Sequence, residues 1–257
     1  MTATDSRVLF KRGIMQVFYN WSGGMESSAM LVVERDRIAE KQAVVRWADT
    51  GKHFPEMADS KAQIEGILGL EIITVDRRLT FDQFLFEKGG MIRRGTTDCS
   101  RRMKRSNLMR HLRRFKKPWE VNLGFNAGES VRADAFKARN DRPHCTWRFP
   151  LLDMGIERQE TWDICRGAGF SILVGMYEKM GRFDCYWCGN QRPSQAAKVV
   201  EHYPQLAAEW AAAESRKGHS FMPIPLSQVS AEVASATTAT GCSCFGGEED
   251  VWEDEDG

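Results

Sequence analysis

Short apolar runs alternate with segments of helical period over the first third of the chain. Short, mostly apolar segments predict strands at 13–19, 43–48 and 71–75. The segments between them carry apolar side chains at helical spacing, which predicts helices at 27–41 and from about 56 to 68, with Pro55 at the start of the second. A strand, helix, strand, helix, strand order predicts an α/β fold with a parallel sheet and right-handed crossovers.

The later pattern continues this alternation. It predicts helical stretches near 81–88, 100–115 and 161–169 and a fourth strand at 119–125. The segment 194–215 has the clearest helical period, although Pro204 is expected to bend it. The small, polar residues of 230–240 predict a linker. We therefore expect one domain over 1–229 and a flexible, acidic, cysteine-containing tail over 230–257.

Composition narrows the class of protein. The 257 residues are 42% hydrophobic and 28% charged, which is ordinary for a soluble globular chain. No apolar run reaches the roughly 18 residues that a membrane span needs, and residues 1–12 lack the apolar stretch of a secretory signal. We therefore expect a cytoplasmic protein without a membrane partner. Seven cysteines in such a chain favour metal or redox chemistry over structural disulfides.

The net charge of +1 hides an uneven distribution of charge. Nine Lys or Arg and no acid lie between Arg101 and Lys117, whereas Glu248 to Gly257 hold seven acids and no base. The basic stretch could bind the phosphates of a nucleotide or of a nucleic-acid backbone. A solvated helix face followed by a disordered tail explains the same pattern, and charge alone does not decide between them.

A glycine pair follows the first strand and opens the first helix. Residues 22–28, here called the SGG loop, read Ser-Gly-Gly-Met-Glu-Ser-Ser. Paired glycines let the backbone approach a phosphate, and a helix N-terminus presents free N–H groups. A serine-capped turn is the plain alternative. The position after the first strand of an α/β sheet favours the phosphate cradle, although the loop matches neither a Walker A nor a G-x-G-x-x-G motif.

The SGG loop resembles the SGGxDS loop of the PP-loop, or adenine nucleotide alpha-hydrolase, superfamily, with Glu26 where Asp is usual. Further segments resemble, in the same order, the phosphoadenosine phosphosulfate (PAPS) reductase-like branch of this superfamily, in its phage and bacterial form. They are Asp49–Glu56, Cys99–Lys104, Leu123–Arg132, Phe149–Leu151 and Tyr177–Cys188. The similarity spans about residues 13–210. It implies a Rossmann-like parallel sheet with helices on both faces and a helical C-terminal part.

The resemblance also implies roles for individual residues. An adenine nucleotide, ATP or PAPS, would have its phosphates on the SGG loop, held by Ser22, Gly23, Gly24, Glu26, Ser27 and Ser28. Its adenosine would lie beside Asp49, Thr50 and Gly51. Arg101 would neutralise phosphate or sulfate charge, and Lys104 and Arg132 would do so as catalytic groups. The plain alternative for each basic residue is a surface charge.

The cysteine spacing leaves several chemistries open. Cys185-Tyr-Trp-Cys188 suits a redox pair, half of a zinc site or half of an iron–sulfur site. Metal binding is favoured because Pro193 suggests a helix start too far along for a redox pair. The resemblance adds Cys99 as a third ligand, so a 4Fe-4S cluster would keep one iron open or bind Asp98 or a tail cysteine.

Other cysteines carry separate hypotheses. Zinc held by Cys185 and Cys188 together with Cys242 and Cys244 is the alternative metal site. Cys244 also occupies the chain position of the nucleophilic cysteine of PAPS reductases, but it lacks the surrounding ECGxH motif. Burial as inert thiols is the plain interpretation of all these residues. It is the favoured one for Cys145 and Cys165, which stand alone.

The resemblance implies an enzyme. The intact SGG pattern favours ATP-dependent activation and sulfur transfer, usually with Mg²⁺. The cysteine tail favours the alternative, reduction of a sulfonucleotide with release of sulfite. A third hypothesis is a non-catalytic module that binds nucleotide or metal. An adenine nucleotide is the expected partner, and a nucleic acid or a thiol-donor protein is a further candidate.

Overall fold

The computed structural model describes residues 15–229 and contains a five-stranded sheet in that range. All strands are parallel and lie in the order β3-β2-β1-β4-β5. They are β1 (Gln16–Asn20), β2 (Val44–Trp47), β3 (Ile72–Thr74), β4 (Trp119–Asn122) and β5 (Cys145–Arg148). The chain leaves β1 in one direction toward β2 and returns on the other side at β4. The strand order therefore reverses between β1 and β4, which is where open α/β sheets bind ligands.

Apolar side chains cover the sheet on both faces. Along β1, Val17 and Tyr19 point into the larger core, which contains the apolar side chains of the helices after β1 and β2 and of the C-terminal helices. Phe18 points to the opposite core with Val121 and Leu112. This alternation follows from the two-residue period of a strand. It confirms the predicted Rossmann-like sheet with helices on both faces.

Ten α-helices lie within the described range. They are α1 (Met25–Val33), α2 (Arg35–Glu40), α3 (Glu56–Leu68), α4 (Ser106–Leu112), α5 (Ser130–Arg139), α6 (Pro150–Asp153), α7 (Arg158–Gly167), α8 (Ser171–Met180), α9 (Pro193–His202) and α10 (Pro204–Lys217). Gln83–Glu87 and Ser100–Arg105 are π-helical, and Ala127–Glu129 and Leu226–Gln228 are 3₁₀ turns. No helix between residues 15 and 229 combines the length and apolarity needed to cross a membrane.

Two long helices predicted from the sequence are each divided in the structure. The segment 27–41 breaks at Glu34, a buried residue whose carboxylate accepts a 2.5 Å hydrogen bond from the Tyr19 hydroxyl. The segment 194–215 breaks completely between α9 and α10, where a bend was predicted. Pro204 disfavours helical backbone at the residue before it, and Tyr203 accordingly has φ −137° and ψ 62°.

The basic stretch predicted as a helix from 100 to 115 is helical from Ser100 to Leu112 and is not a uniformly solvated face. Arg105 is buried, together with Met103 and Leu112. Arg110 donates a 2.5 Å hydrogen bond to the Asp76 carbonyl. The charges of this stretch therefore have different surroundings, and only some of them face solvent. The predicted linker and tail lie outside the described residues.

Candidate functional site

A pocket of about 750 Å³ opens at the carboxyl ends of β1 and β4. The SGG loop forms one wall through Ser22, Gly24, Glu26 and Ser27. Trp47 and Ala48 at the end of β2, and residues 123–126 after β4, form neighbouring walls. The pocket therefore lies where the strand order reverses, as expected for the ligand site of an open α/β sheet.

Backbone and serine contacts shape the SGG loop. Gly23 has φ +83°, a left-handed conformation that favours glycine. The Ser27 hydroxyl donates to the Gly24 carbonyl over 3.0 Å and accepts the Ser22 backbone N–H over 3.1 Å. Ser28 is fully buried, and its hydroxyl donates to the Gly24 carbonyl over 2.8 Å. Ser22 and Ser27 therefore line the pocket, whereas Gly23 and Ser28 lie outside the lining and stabilise the loop conformation.

Helix α1 begins at the pocket. Gly24 is its N-cap residue and has no side chain to cap the helix. The Tyr177 hydroxyl accepts the Met25 backbone N–H over 3.1 Å, and the helix N-terminus gives the pocket partial positive charge, which suits an anion. The loop after β4 packs against this turn at Gly124, where a Cβ would lie 2.8 Å from the Ser27 Cα. A glycine is therefore needed for the two loops to approach this closely.

Glu26 brings a carboxylate to the same pocket. Its Oε1 lies 3.6 Å from Nε of Arg158 at the pocket wall. Burial raises the pKa of Glu26 above its ordinary value, while Arg158 and Arg132 act in the opposite direction. A negative charge beside the helix N-terminus would repel a phosphate unless a proton or a cation neutralises it.

Several cations line the pocket. Among the predicted residues, Lys104 and Arg132 do so. The Arg132 guanidinium lies 4.7 Å from the centroid of the Phe125 ring and pairs with Glu129. Arg101 is not part of the lining, and its guanidinium lies 3.2 Å from Asp98. Arg158, Arg182 and Arg192 also line the pocket, although the sequence did not single them out.

The segment after β2 lies beside the Cys185-x-x-Cys188 segment rather than in the pocket lining. His53 and Cys185 form an isolated antiparallel bridge, and the Tyr186 N–H donates to the Lys52 carbonyl over 3.0 Å. The Cys185 Sγ lies 3.1 Å from the Thr50 Oγ1 and 3.6 Å from the His53 Nε2. Thr50 therefore contacts a thiol that the sequence assigns to a different site.

Asp49 completes a chain of polar contacts with His53 and Cys185. The Asp49 Oδ1 lies 3.0 Å from the His53 Nδ1 and accepts the Gly51 N–H over 2.7 Å. Burial opposes the imidazolium, but Cys185 and Asp49 raise the pKa of His53 to about 9. Burial likewise opposes the thiolate, but Lys104 and His53 lower the pKa of Cys185 to about 7. Cys185 therefore ionises at lower pH than an ordinary thiol. His53 was not predicted as a site residue from the sequence.

Cys99 and Cys188 belong to the same electrostatic cluster. Burial raises the pKa of Cys99 to about 12, with Cys188 and Cys185 contributing in the same direction. The three thiols thus lie close enough to influence one another, and thiols are suitable ligands for zinc or iron. As placed between residues 15 and 229, however, no three His, Cys, Asp or Glu side chains surround a common metal position. A metal site at Cys99, Cys185 and Cys188 stays a prediction.

The remaining cysteines have different surroundings. Cys145 and Cys165 are buried, as expected for structural thiols, and burial raises their pKa values to about 11 and 12. The Cys165 thiol donates to the Met25 carbonyl over 3.5 Å. Cys242 and Cys244 lie outside the described residues, so their predicted roles stay untested.

Residues 16–122 match the family model of the phosphoadenosine phosphosulfate reductase domain. The match runs from β1 to the end of β4 and includes the SGG loop, Asp49–Glu56 and Cys99–Lys104. It confirms over these residues the resemblance found in the sequence.

Comparisons with whole proteins give weaker similarity than the family model. No curated protein sequence matches the chain significantly. Among solved structures, the chain is similar to the U34-tRNA thiolase NcsA from Methanococcus maripaludis, which was solved with its 4Fe-4S cluster. The identity is 13%, the TM-score is 0.42, and the alignment covers 80% of this chain and 72% of the thiolase.

Proposed function

We propose that this chain, whose residues 16–122 match the phosphoadenosine phosphosulfate reductase domain, is a PP-loop enzyme that binds an adenine nucleotide. The observation that carries the proposal is the N-terminus of α1, which opens with the SGG loop into a pocket of about 750 Å³. Free N–H groups and a helix dipole stabilise phosphate oxygens at such a position. In this proposal Ser22, Gly24 and Ser27 contact the phosphates directly.

Gly23 and Ser28 would then support the loop, and Lys104 and Arg132 would neutralise the charge of the phosphates. Asp49, Thr50 and Gly51 follow β2 at the carboxyl edge of the sheet, on the adenosine side of the proposed nucleotide. The positive charge of Arg101 would contribute to the electrostatic potential of the pocket, although Arg101 does not line it. The domain would comprise residues 1–229, with 230–257 as a separate tail.

The proposed reaction is ATP-dependent activation of an acceptor for sulfur transfer. An acceptor oxygen attacks the α-phosphate, a new P–O bond forms, and the bond to the β-phosphate breaks to release pyrophosphate. The charge that develops on the leaving pyrophosphate would be stabilised by the α1 N-terminus and Lys104. Mg²⁺ bound to ATP would offset the negative charge of the Glu26 carboxylate in the pocket.

Binding tests the cradle directly. A Cβ at Gly24 would lie 3.2 Å from the Tyr177 hydroxyl and 3.3 Å from the Ser22 Oγ, so a β-branched residue would fill the cradle. Gly24→Val should abolish ATP binding in calorimetry while circular dichroism stays unchanged. Gly167→Val is the matched control because nothing lies within 4 Å of its Cβ position. ATP binding by Gly24→Val at the parent affinity would refute the assignment.

Product analysis tests the reaction. Release of AMP and pyrophosphate from ATP, with no sulfite from PAPS or APS, supports activation. Sulfite release supports the second candidate, sulfonucleotide reduction, which the family match to a reductase domain favours. Truncation after Ala239 should then abolish sulfite release if Cys244 is the nucleophile. Nucleotide binding without turnover of any of these substrates would identify a non-catalytic module.

We further propose that Cys99, Cys185 and Cys188 hold an iron–sulfur cluster, with zinc as the alternative metal. The mutual influence of the three thiols on their ionisation supports this set. Protein purified without air should be brown and contain iron and sulfide. Ala substitution of any of the three should remove the metal, whereas Cys165→Ala should retain it. Stoichiometric zinc without iron, lost in Cys242→Ala, would instead support the zinc site that includes the tail.

A further inference from the structure

We propose that the Tyr177 hydroxyl is a phosphate-binding group that donates a hydrogen bond to an anion held in the SGG loop. Tyr177 is on α8, 152 residues after Met25, which begins α1. Its Oη accepts the Met25 backbone N–H over 3.1 Å and would lie 3.2 Å from a Cβ at Gly24. The hydroxyl therefore lies directly over the glycine pair. This inference rests on the proposed nucleotide-binding function.

The Tyr177 hydroxyl can also donate a hydrogen bond. A tyrosine hydroxyl is a donor as well as an acceptor, and the Met25 N–H uses only its acceptor capacity. Between residues 15 and 229 the structure has no acceptor for the Tyr177 proton, and the side chain lines the pocket beside Ser22 and Ser27. A phosphate oxygen in the cradle would supply the missing acceptor.

The surroundings keep this donor in place and protonated. The Tyr177 ring makes an edge-to-face contact with Trp162, with centroids 5.6 Å apart at 82°. Burial raises the pKa of Tyr177 well above its ordinary value, and the nearby carboxylates Glu26 and Asp184 act in the same direction. The hydroxyl is therefore neutral across the physiological range and carries no charge that would repel an anion.

A donor role differs from simple capping of α1. If Tyr177 only capped the Met25 N–H, removing its hydroxyl would free that N–H for the phosphate, and affinity would be unchanged or higher. If the hydroxyl donates to the phosphate, its removal costs the hydrogen bond to a charged group. Only ligands that carry phosphate would lose affinity.

The test measures dissociation constants of ATP, inorganic pyrophosphate and adenosine for the full-length parent and for Tyr177→Phe. Phenylalanine keeps the ring contact with Trp162. The matched control is Tyr203→Phe, because the Tyr203 hydroxyl donates to Glu56 over 2.5 Å and the residue is not part of the pocket lining. We expect Tyr177→Phe to bind ATP and pyrophosphate about tenfold to hundredfold more weakly, with adenosine affinity unchanged. Tyr203→Phe should match the parent for every ligand.

Other outcomes refute the inference in distinguishable ways. Parent-like or tighter pyrophosphate binding by Tyr177→Phe would show that the hydroxyl is only a cap. Equal losses for adenosine and ATP would show a structural effect on the pocket. A parent protein that binds neither ATP nor pyrophosphate would overturn the proposed function and, with it, the role of Tyr177.

Discussion

Gly124→Ala should disturb the phosphate cradle through the backbone alone. The new Cβ would lie 2.8 Å from the Ser27 Cα, 2.9 Å from the Ser27 N and 3.0 Å from the Glu26 carbonyl carbon. All three atoms belong to the first turn of α1, so no flexible side chain can relieve the contact. Restoring ordinary van der Waals separation requires a shift of roughly half an ångström between this turn and the loop after β4.

The energetic cost follows from the kind of contact. Overpacking of this type lowers the free energy of unfolding by about 1–3 kcal/mol. For a chain of this size the melting temperature should fall by roughly 2–10 °C. Because the displaced turn carries the N–H groups of the cradle, we expect ATP affinity to fall at least tenfold, measured by calorimetry.

Gly175→Ala is the matched control. Gly175 is exposed in the middle of α8, and nothing lies within 4 Å of its Cβ position. Alanine there should raise the free energy of unfolding by about 0.5–1 kcal/mol through helix propensity and leave ATP binding unchanged. An unchanged melting temperature together with parent ATP affinity in Gly124→Ala would refute the close approach of the two loops.

Three further predictions test the site and its support. His53→Gln in metal-free protein should raise the pKa of Cys185 from about 7 toward its ordinary value, so that alkylation of the Cys185 peptide by iodoacetamide, followed by mass spectrometry, slows roughly fivefold to tenfold at pH 7; an unchanged pH profile would contradict the contact. Glu26→Gln should bind pyrophosphate more tightly than the parent without divalent cations. The parent should approach that affinity as the pH falls, because Glu26, whose pKa is raised, takes up a proton; equal affinities at neutral pH would place its charge away from the ligand. Glu214→Ala should lower the free energy of unfolding by about 3–5 kcal/mol in urea titration, since its buried carboxylate accepts from Trp210 Nε1 and two backbone N–H groups; a loss below about 1 kcal/mol would contradict this role.

The first half of the fold was predictable because its information is local. Buried parallel strands are mostly apolar runs; β2 and β3 lie within predicted runs of this kind, and β1 extends one residue beyond its run, to Asn20. Strand β5 was not predicted because it has only four residues, in which buried Cys145 and Trp147 alternate with exposed Thr146 and partly buried Arg148, and because it follows a polar segment. Only pairing with β4, which buries Cys145 and Trp147, makes this segment a strand.

The candidate site likewise combines residues that could be predicted from the sequence with residues that could not. Ser22 and Gly24 could be predicted because the chemistry of a phosphate loop lies in consecutive residues. His53 could not be assigned to Cys185, because 132 residues separate them and only the bridge between their backbones brings them together. Tyr177 is similar, since nothing in its neighbourhood along the chain indicates a contact with α1.

Lys104 connects the two parts of the site. It lines the phosphate pocket, and its charge also lowers the pKa of Cys185. An anion bound beside Lys104 would offset that charge and so weaken its support of the thiolate. Phosphate binding and ionisation of Cys185 should therefore oppose each other.

This opposition can be measured in metal-free protein through the pH midpoint of Cys185 alkylation. Saturating pyrophosphate should raise the midpoint by about one pH unit, the size of effect that one neighbouring charge produces. Lys104→Met should have a raised midpoint without ligand, because the side chain keeps a similar length but loses its charge. Pyrophosphate, at a concentration that saturates the variant, should then move the midpoint little. A midpoint that stays near 7 in the parent with pyrophosphate bound would show that Lys104 acts on only one of the two groups, and the pocket and the thiol cluster would then be electrostatically independent sites.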